Sequence, residues 1–295
     1  MSVKSVIELE RTGGKQLSAY NSSDLLGLVR HANSRGQMNL NLEGANLAKA
    51  RLAGLKLRFA SLTGAKLSGA NFDGSDFEGA WLDRADLVRA KLSGGYFRGA
   101  SFEHSDLGGA VLEQATFEGV NFVGSNLAGA RARGALFGVA NMQGADLTGA
   151  DFRNSDITNS NLAEAVLAGA NFSGAKIGRT NLAGRSMEGV NFELAYLAEC
   201  HLAGLDLRKA RLRGADLRYA NLENANLSGL DLSGVNFTEA NLKGANLSGA
   251  TLEGAVFDQS NIISSLLDKS VLGSVAVASK NAPSQSLLVE SGGVA

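Results

Sequence analysis

"GADLTGADF", residues 144–152, repeats itself: Gly144, Ala145, Asp146, Leu147 and Thr148 are followed by Gly149, Ala150, Asp151 and Phe152. The register extends in both directions. From Leu42 to Leu272 every fifth residue is Leu, Phe, Ile or Met, Ala132 alone excepted, with no insertion or deletion. Two positions before each of these centres the residue is usually small, and immediately before it Asn or Asp is commonest. Gly recurs two positions after it. A period of five suits neither an amphipathic helix, which repeats every ~3.6 residues, nor a half-buried strand, which repeats every ~2.

Two inward residues in each five, spaced by two, describe a short extended piece followed by a corner. Four such pieces close a square coil, and coils stack at about 4.8 Å, the spacing of paired strands. The expectation is an all-β solenoid of ~12 coils, ~55 Å long. Gly supplies the permissive backbone of the corner, and Asn or Asp side chains bond the backbone near it. Units such as "ADLTGADF" and "ANLSGATLEGA" resemble the pentapeptide-repeat family, A-(D/N)-L-x-x, over about four-fifths of the chain. The resemblance implies a right-handed quadrilateral β-helix, often a dimer joined at one end. It also implies that the Asn/Asp position points outward and the small and central residues inward.

Composition narrows the function classes. The chain has 295 residues, 37 Gly and 1 Pro, with 28 basic residues against 29 acidic. This balance disfavours direct nucleic-acid binding. The single Cys200 excludes an internal disulfide. No apolar run of signal-peptide or membrane-span length occurs, so a cytoplasmic location without membrane insertion is expected.

Centres twenty residues apart share a face of the coil. On the Leu57 face the column Leu57, Phe77, Phe97, Phe117, Phe137, Ile157 should form a buried aromatic stack. The Leu42 face carries Asn121, Asn141, Asn161 and Asn181 with small uncharged neighbours. It reads either as a docking wall or as plain repeat consensus. Arg208, Lys209, Arg211 and Arg213 lie close together and could meet phosphates or an acidic partner, or form a solvated surface. Trp81, Tyr96 and Tyr196 stand just before centres and should point outward; an outward Trp is a candidate contact. Two cells break the pattern. Ala132 is small where a centre should be large, and would leave a void unless Phe152 or Leu112 leans over. Arg185 stands where a small inward residue belongs, and burying it unpaired would be costly. It should turn outward or mark a bulge.

The ends lie outside the repeat. Residues 1–37 read as an N-terminal cap, a β-hairpin about Thr12–Lys15 followed by a helix that starts at Ser22 or Ser23 and ends near Gly36. Residues 38–274 are the β-helix, and residues 275–295 a tail expected to be partly disordered. Ile263, Leu266 and Val271 turn the outward positions apolar and form a candidate homodimer end.

No catalytic, cofactor or metal site is expected. His104 and His201 are nearly five coils apart, Cys200 occupies an inward position, and "TGGKQ" lacks the flanking residues of a phosphate loop. The chain reads as a non-enzymatic rod that binds a protein through its flat faces. The family offers an alternative. Some of its members mimic B-form DNA and protect DNA gyrase and related topoisomerases against poisons, through a concentrated negative surface and often with loops that interrupt the repeat. This chain is near neutral and has no such loop.

Overall fold

The computed structural model describes residues 22–36 and 38–267. They belong to two compact units, Met1–Val166 and Leu167–Ala295. Both are built from one five-residue event, which residues 145–150 illustrate. Ala145 and Leu147 are buried. The Leu147 carbonyl accepts the Ala150 amide at 3.0 Å, closing a β-turn whose third residue, Gly149, has φ of 63°. Positive φ at that position marks a type II turn, where Gly is at ease. The Asp146 carboxylate accepts the Thr148 amide at 2.9 Å and pins the corner from outside.

Stacking follows from the backbone groups left over. The Leu147 amide donates to Val166 of the next coil and the Asp146 amide to Ser125 of the coil before. Isolated parallel bridges join residues twenty apart through each unit, as Asn126 to Asp146 to Val166 and Asn221 to Asn241 to Asn261, with gaps in unit 2 between Ser186 and Asp206 and between Arg211 and Asp231. One bridged residue per face leaves no room for a longer strand, so the β-structure is a series of single bridges between turns.

The core is two layers of side chains per face. Phe77, Phe97, Phe117 and Phe137 stack with ring centroids 5.1, 4.7 and 5.0 Å apart and planes within 12° of parallel. Phe102 and Phe122 stack beside them and meet them tilted or edge-on. Such pairs add about 0.5–1.5 kcal/mol each beyond burial. Ala132 is fully buried. The next centre in its column, Phe152, leans edge-on against Phe137 at 5.3 Å. In unit 2 the stacks shorten to the pairs Phe172–Phe192 and Phe237–Phe257, and Leu fills most other centres.

Arg185 disturbs unit 2. Its side chain stays half-exposed, with Nε directed at its neighbour's carbonyl, Ala183, at 3.4 Å. The bridge expected at Ser186 is missing. The Gly189 amide donates to Lys209, one residue past the register that Gly169 to Glu188 follows. The next bridge, Asn191 to Arg211, is regular again. A guanidinium too costly to bury displaces its corner and skips one residue of pairing.

Before the first coil runs helix α1, Ser22–Ser34. The chain leaves it through Gly36, at φ of 71°, whose amide bonds the Asn33 carbonyl, a left-handed helix end. Val29 and Ala32 are buried. Arg30 Nη2 donates to the Arg51 carbonyl at 2.9 Å and Asn33 Nδ2 to the Lys56 carbonyl at 2.6 Å. The hairpin expected about residues 12–15, the tail 275–295 and Val271 lie outside the described residues.

Candidate interaction surfaces

The outward positions sort into ladders, ion pairs and hollows. On the Leu42 face, Asn121, Asn141 and Asn161 each accept, at Oδ1, the amide two residues on: Val123, Gln143 and Ala163. Asn161 Nδ2 donates to Asn141 Oδ1 at 3.0 Å. Asn181 makes the same turn with Ala183 in unit 2, where Asn221, Asn241 and Asn261 form a further amide ladder. Much of the amide capacity on this wall is thus spent within the fold, which satisfies buried and half-buried backbone.

The basic group of unit 2 is neutralised in place. Arg208 holds Asp206 through Nε and Nη2 at 2.9 and 2.7 Å. Its guanidinium draws the Asp206 carboxyl down from 3.8 to about 2. Lys209 Nζ lies 2.6 Å from Glu188, and Arg213 Nε 4.0 Å from Asp231. Arg218 pairs with Asp216 at 2.6 Å and lies 6.0 Å from the Tyr196 ring centre. Arg211 has no ion pair among the described residues. A phosphate would have to compete with carboxylates already seated on most of these cations.

A third kind of surface was not visible in the repeat pattern. Among the described residues the corner two after each centre has positive φ, Lys209 excepted, and bulky apolar side chains occupy it at Phe59 (55°), Val139 (55°) and Leu194 (58°). Left-handed φ is uncommon for any non-glycine residue and a true outlier for a β-branched one. These three are 44%, 62% and 71% exposed. Each borders a hollow. Phe59 and the half-exposed Trp81 flank one of about 590 Å³, with Asn39, Asn41 and Ser61. Val139 and Leu136 flank one of about 410 Å³ over Gly99 and Gly119. Leu194 flanks one of about 980 Å³ over Gly214, Gly234 and Gly254. Some bulky corner side chains also lean over the glycine of the next coil: Phe59 over Gly79, Leu194 over Gly214.

Chemistry is sparse. Burial pushes the Cys200 thiol up to about 12, and its Sγ bonds the Ile177 carbonyl at 3.2 Å. Among the described residues no three His, Cys, Asp or Glu side chains gather as metal ligands, and no helix is long and apolar enough to cross a membrane. Ile263 and Leu266 are both exposed.

Square coils of single bridges around a two-layer apolar core define a β-helical repeat protein. The pentapeptide-repeat family model matches in eight copies between residues 41 and 272, and the chain belongs to that family. No curated protein sequence matches it. Among solved structures it is similar to HetL of Nostoc sp. strain PCC 7120, a pentapeptide repeat protein involved in heterocyst differentiation regulation. The identity is 26% over 81% of this chain and 96% of that one, with a TM-score of 0.46. It is also similar to a trypsin-treated form of QnrB1, a plasmid-mediated fluoroquinolone resistance protein, at 23% identity over 68% of this chain and 89% of that one, TM-score 0.37. A thylakoid-lumen pentapeptide repeat protein of Arabidopsis thaliana is 24% identical over 42% of this chain and 66% of that one, TM-score 0.15.

Proposed function

We propose that the chain is a non-enzymatic scaffold that binds a protein partner in the cytoplasm through the faces of its β-helix. One observation carries this reading: Phe59, Val139 and Leu194 combine strained backbone, high exposure and an adjoining hollow. Nineteen non-glycine residues take positive φ, so that backbone is the rule of the corner, and it is exposed apolar bulk beside a hollow that sets these three apart and suits them to a partner. In this reading residues 38–274 are the β-helix, and α1 belongs to a cap formed by residues 1–37. Arg30 and Asn33 supply donors to carbonyls of the first coil, as a solenoid end requires. Ile263 and Leu266 add an exposed apolar patch in the last described coil.

The alternative, a DNA mimic acting on a topoisomerase, asks for a concentrated acidic face. Asp151 with Arg153, Asp206 with Arg208 and Asp216 with Arg218 offer paired charges instead. The test replaces Phe59, Val139 and Leu194 together with Asn, which tolerates positive φ. Capture from cells with the native chain should recover a partner that the triple variant loses. The same proteins recovered by both would contradict the scaffold reading. Inhibition of gyrase supercoiling by the purified chain would establish the alternative.

A further inference from the structure

We propose that the Leu57 face of unit 1 binds a second copy of this chain, antiparallel, about a twofold axis crossing the face between the Phe117 and Phe137 coils. This rests on the scaffold reading in one respect, that the Val139 hollow is an interaction surface; it adds the partner. Three outward columns run along the face. The first holds Tyr96, Thr116, Leu136 and Asp156; the second Arg98, Glu118, Gly138 and Thr158; the third Gly99, Gly119, Val139 and Asn159. The large members are exposed: Tyr96 at 60%, Leu136 at 42% and Val139 at 62%.

Half a turn about an axis lying across the face keeps each column opposite itself and reverses the order of coils. Val139 of one copy then stands over Gly119 of the other, where a Cβ would meet nothing within 4 Å. Asn159 stands over Gly99, equally open. Glu118 falls over Gly138, whose missing side chain leaves the same room. Leu136 covers Thr116. Tyr96 and Arg98 reach the coil that carries Asp156 and Thr158. Bulk meets glycine in the third column and across Glu118 and Gly138, and cation meets anion across the axis, each twice by symmetry. An isologous interface requires this self-complementarity.

The charges are available for it. Arg98 and Glu118 form no ion pair among the described residues, although Glu223 and Lys243 pair at 3.4 Å in the same column relation. Asp156 uses one carboxylate oxygen for the Thr158 amide and keeps the other. The arrangement also contains a flaw that makes it testable: the two Glu118 side chains face each other on either side of the axis, offset by one coil step of about 4.8 Å in the stacking direction.

Sedimentation velocity of the full chain over a roughly hundredfold concentration range reads the equilibrium directly. A monomer–dimer transition is expected. Val139→Gly should weaken it roughly tenfold or more while leaving the urea midpoint unchanged or raised, because glycine is at ease at this φ. Arg98→Glu should weaken it as well. Glu118→Gln should tighten it a few-fold, and Leu266→Asp should leave it unchanged. A chain monomeric at every concentration overturns the proposal. So does a dimer that survives Val139→Gly and Arg98→Glu. A monomer that still captures a foreign partner through Val139 would overturn this interface and leave the scaffold reading standing.

Discussion

Residues 145–150 and residues 185–190 occupy the same place in the repeat and fold differently. At the first, Ala145 and Leu147 point inward, Asp146 braces the corner, and both neighbouring coils are bridged. At the second, Arg185 replaces the small inward residue, Ser186 loses its bridge and Gly189 skips to Lys209. One five-residue repeat later the pairing is regular again at Asn191. The difference shows how local the specification is. Each coil answers only to its neighbours, so the departure at Arg185 reaches the facing cell of the next coil, where Lys209 lacks the positive φ of the other described corners, and the pairing of Asp206 with Asn226 beyond it is regular.

The comparison can be broken most severely in the regular stack. Phe117 lies between Phe97 and Phe137 at 4.7 and 5.0 Å. Phe117→Ala should cost about 3–5 kcal/mol in urea unfolding. Met187→Ala, inside the distorted cell, should cost measurably less, because a site with loosened pairing can collapse around the lost volume. Equal costs would mean that the distortion at Arg185 does not reach the core.

Arg185→Ala sharpens the comparison by restoring the consensus. The missing pairing should return, and stability should rise by about 1–2 kcal/mol. Amide hydrogen exchange at Ser186 and Gly189 should slow toward that of Asp146 and Gly149. Unchanged exchange would remove Arg185 as the cause.

Thr180 offers a smaller gain. Its hydroxyl is buried without a partner, whereas Ser160, at the same place in the repeat, bonds the Phe137 carbonyl at 2.8 Å. Thr180→Val should raise stability by up to about 1 kcal/mol, and Ser160→Val should lower it.

The smallest expected effect is electrostatic. Asp206 is drawn from 3.8 to about 2 by Arg208. A depressed carboxyl pKa stabilises the fold above 3.8, and that contribution is lost as pH falls from 3.8 through about 2. Both groups are exposed, so solvent screens the pair and the effect is slight. Acid titration of stability should show it in the native chain and not in Asp206→Asn.

The sequence disclosed the register, the aromatic column and the outward place of Trp81 and Tyr96, because burial at a fixed period writes itself into residue type. It also marked Arg185, since no small pocket holds a guanidinium. Arg208 and Lys209 looked like a cationic cluster, and only side-chain direction shows Asp206 and Glu188 turned toward them. Asn141 and Asn161 looked like a free wall, and their mutual hydrogen bond depends on stacking geometry. Gly at the corner was legible, but the bulky residues sharing its φ were not: Val139 and Leu194 sit where propensity argues against them. That conflict between local preference and fold is what marks them as surface features with a use.

Spin-label distances along one outward column test the whole account most directly. Cysteines placed at Glu43 with Val123, and at Glu43 with Ala163, span four and six coil steps within unit 1, and the buried Cys200 thiol, raised to about 12, stays unlabelled in the folded chain. Backbone separations of about 19 and 29 Å are predicted, growing by ~4.8 Å for every twenty residues. Distances that fail to grow with coil number would mean that the fifth residues do not line a stacked square coil.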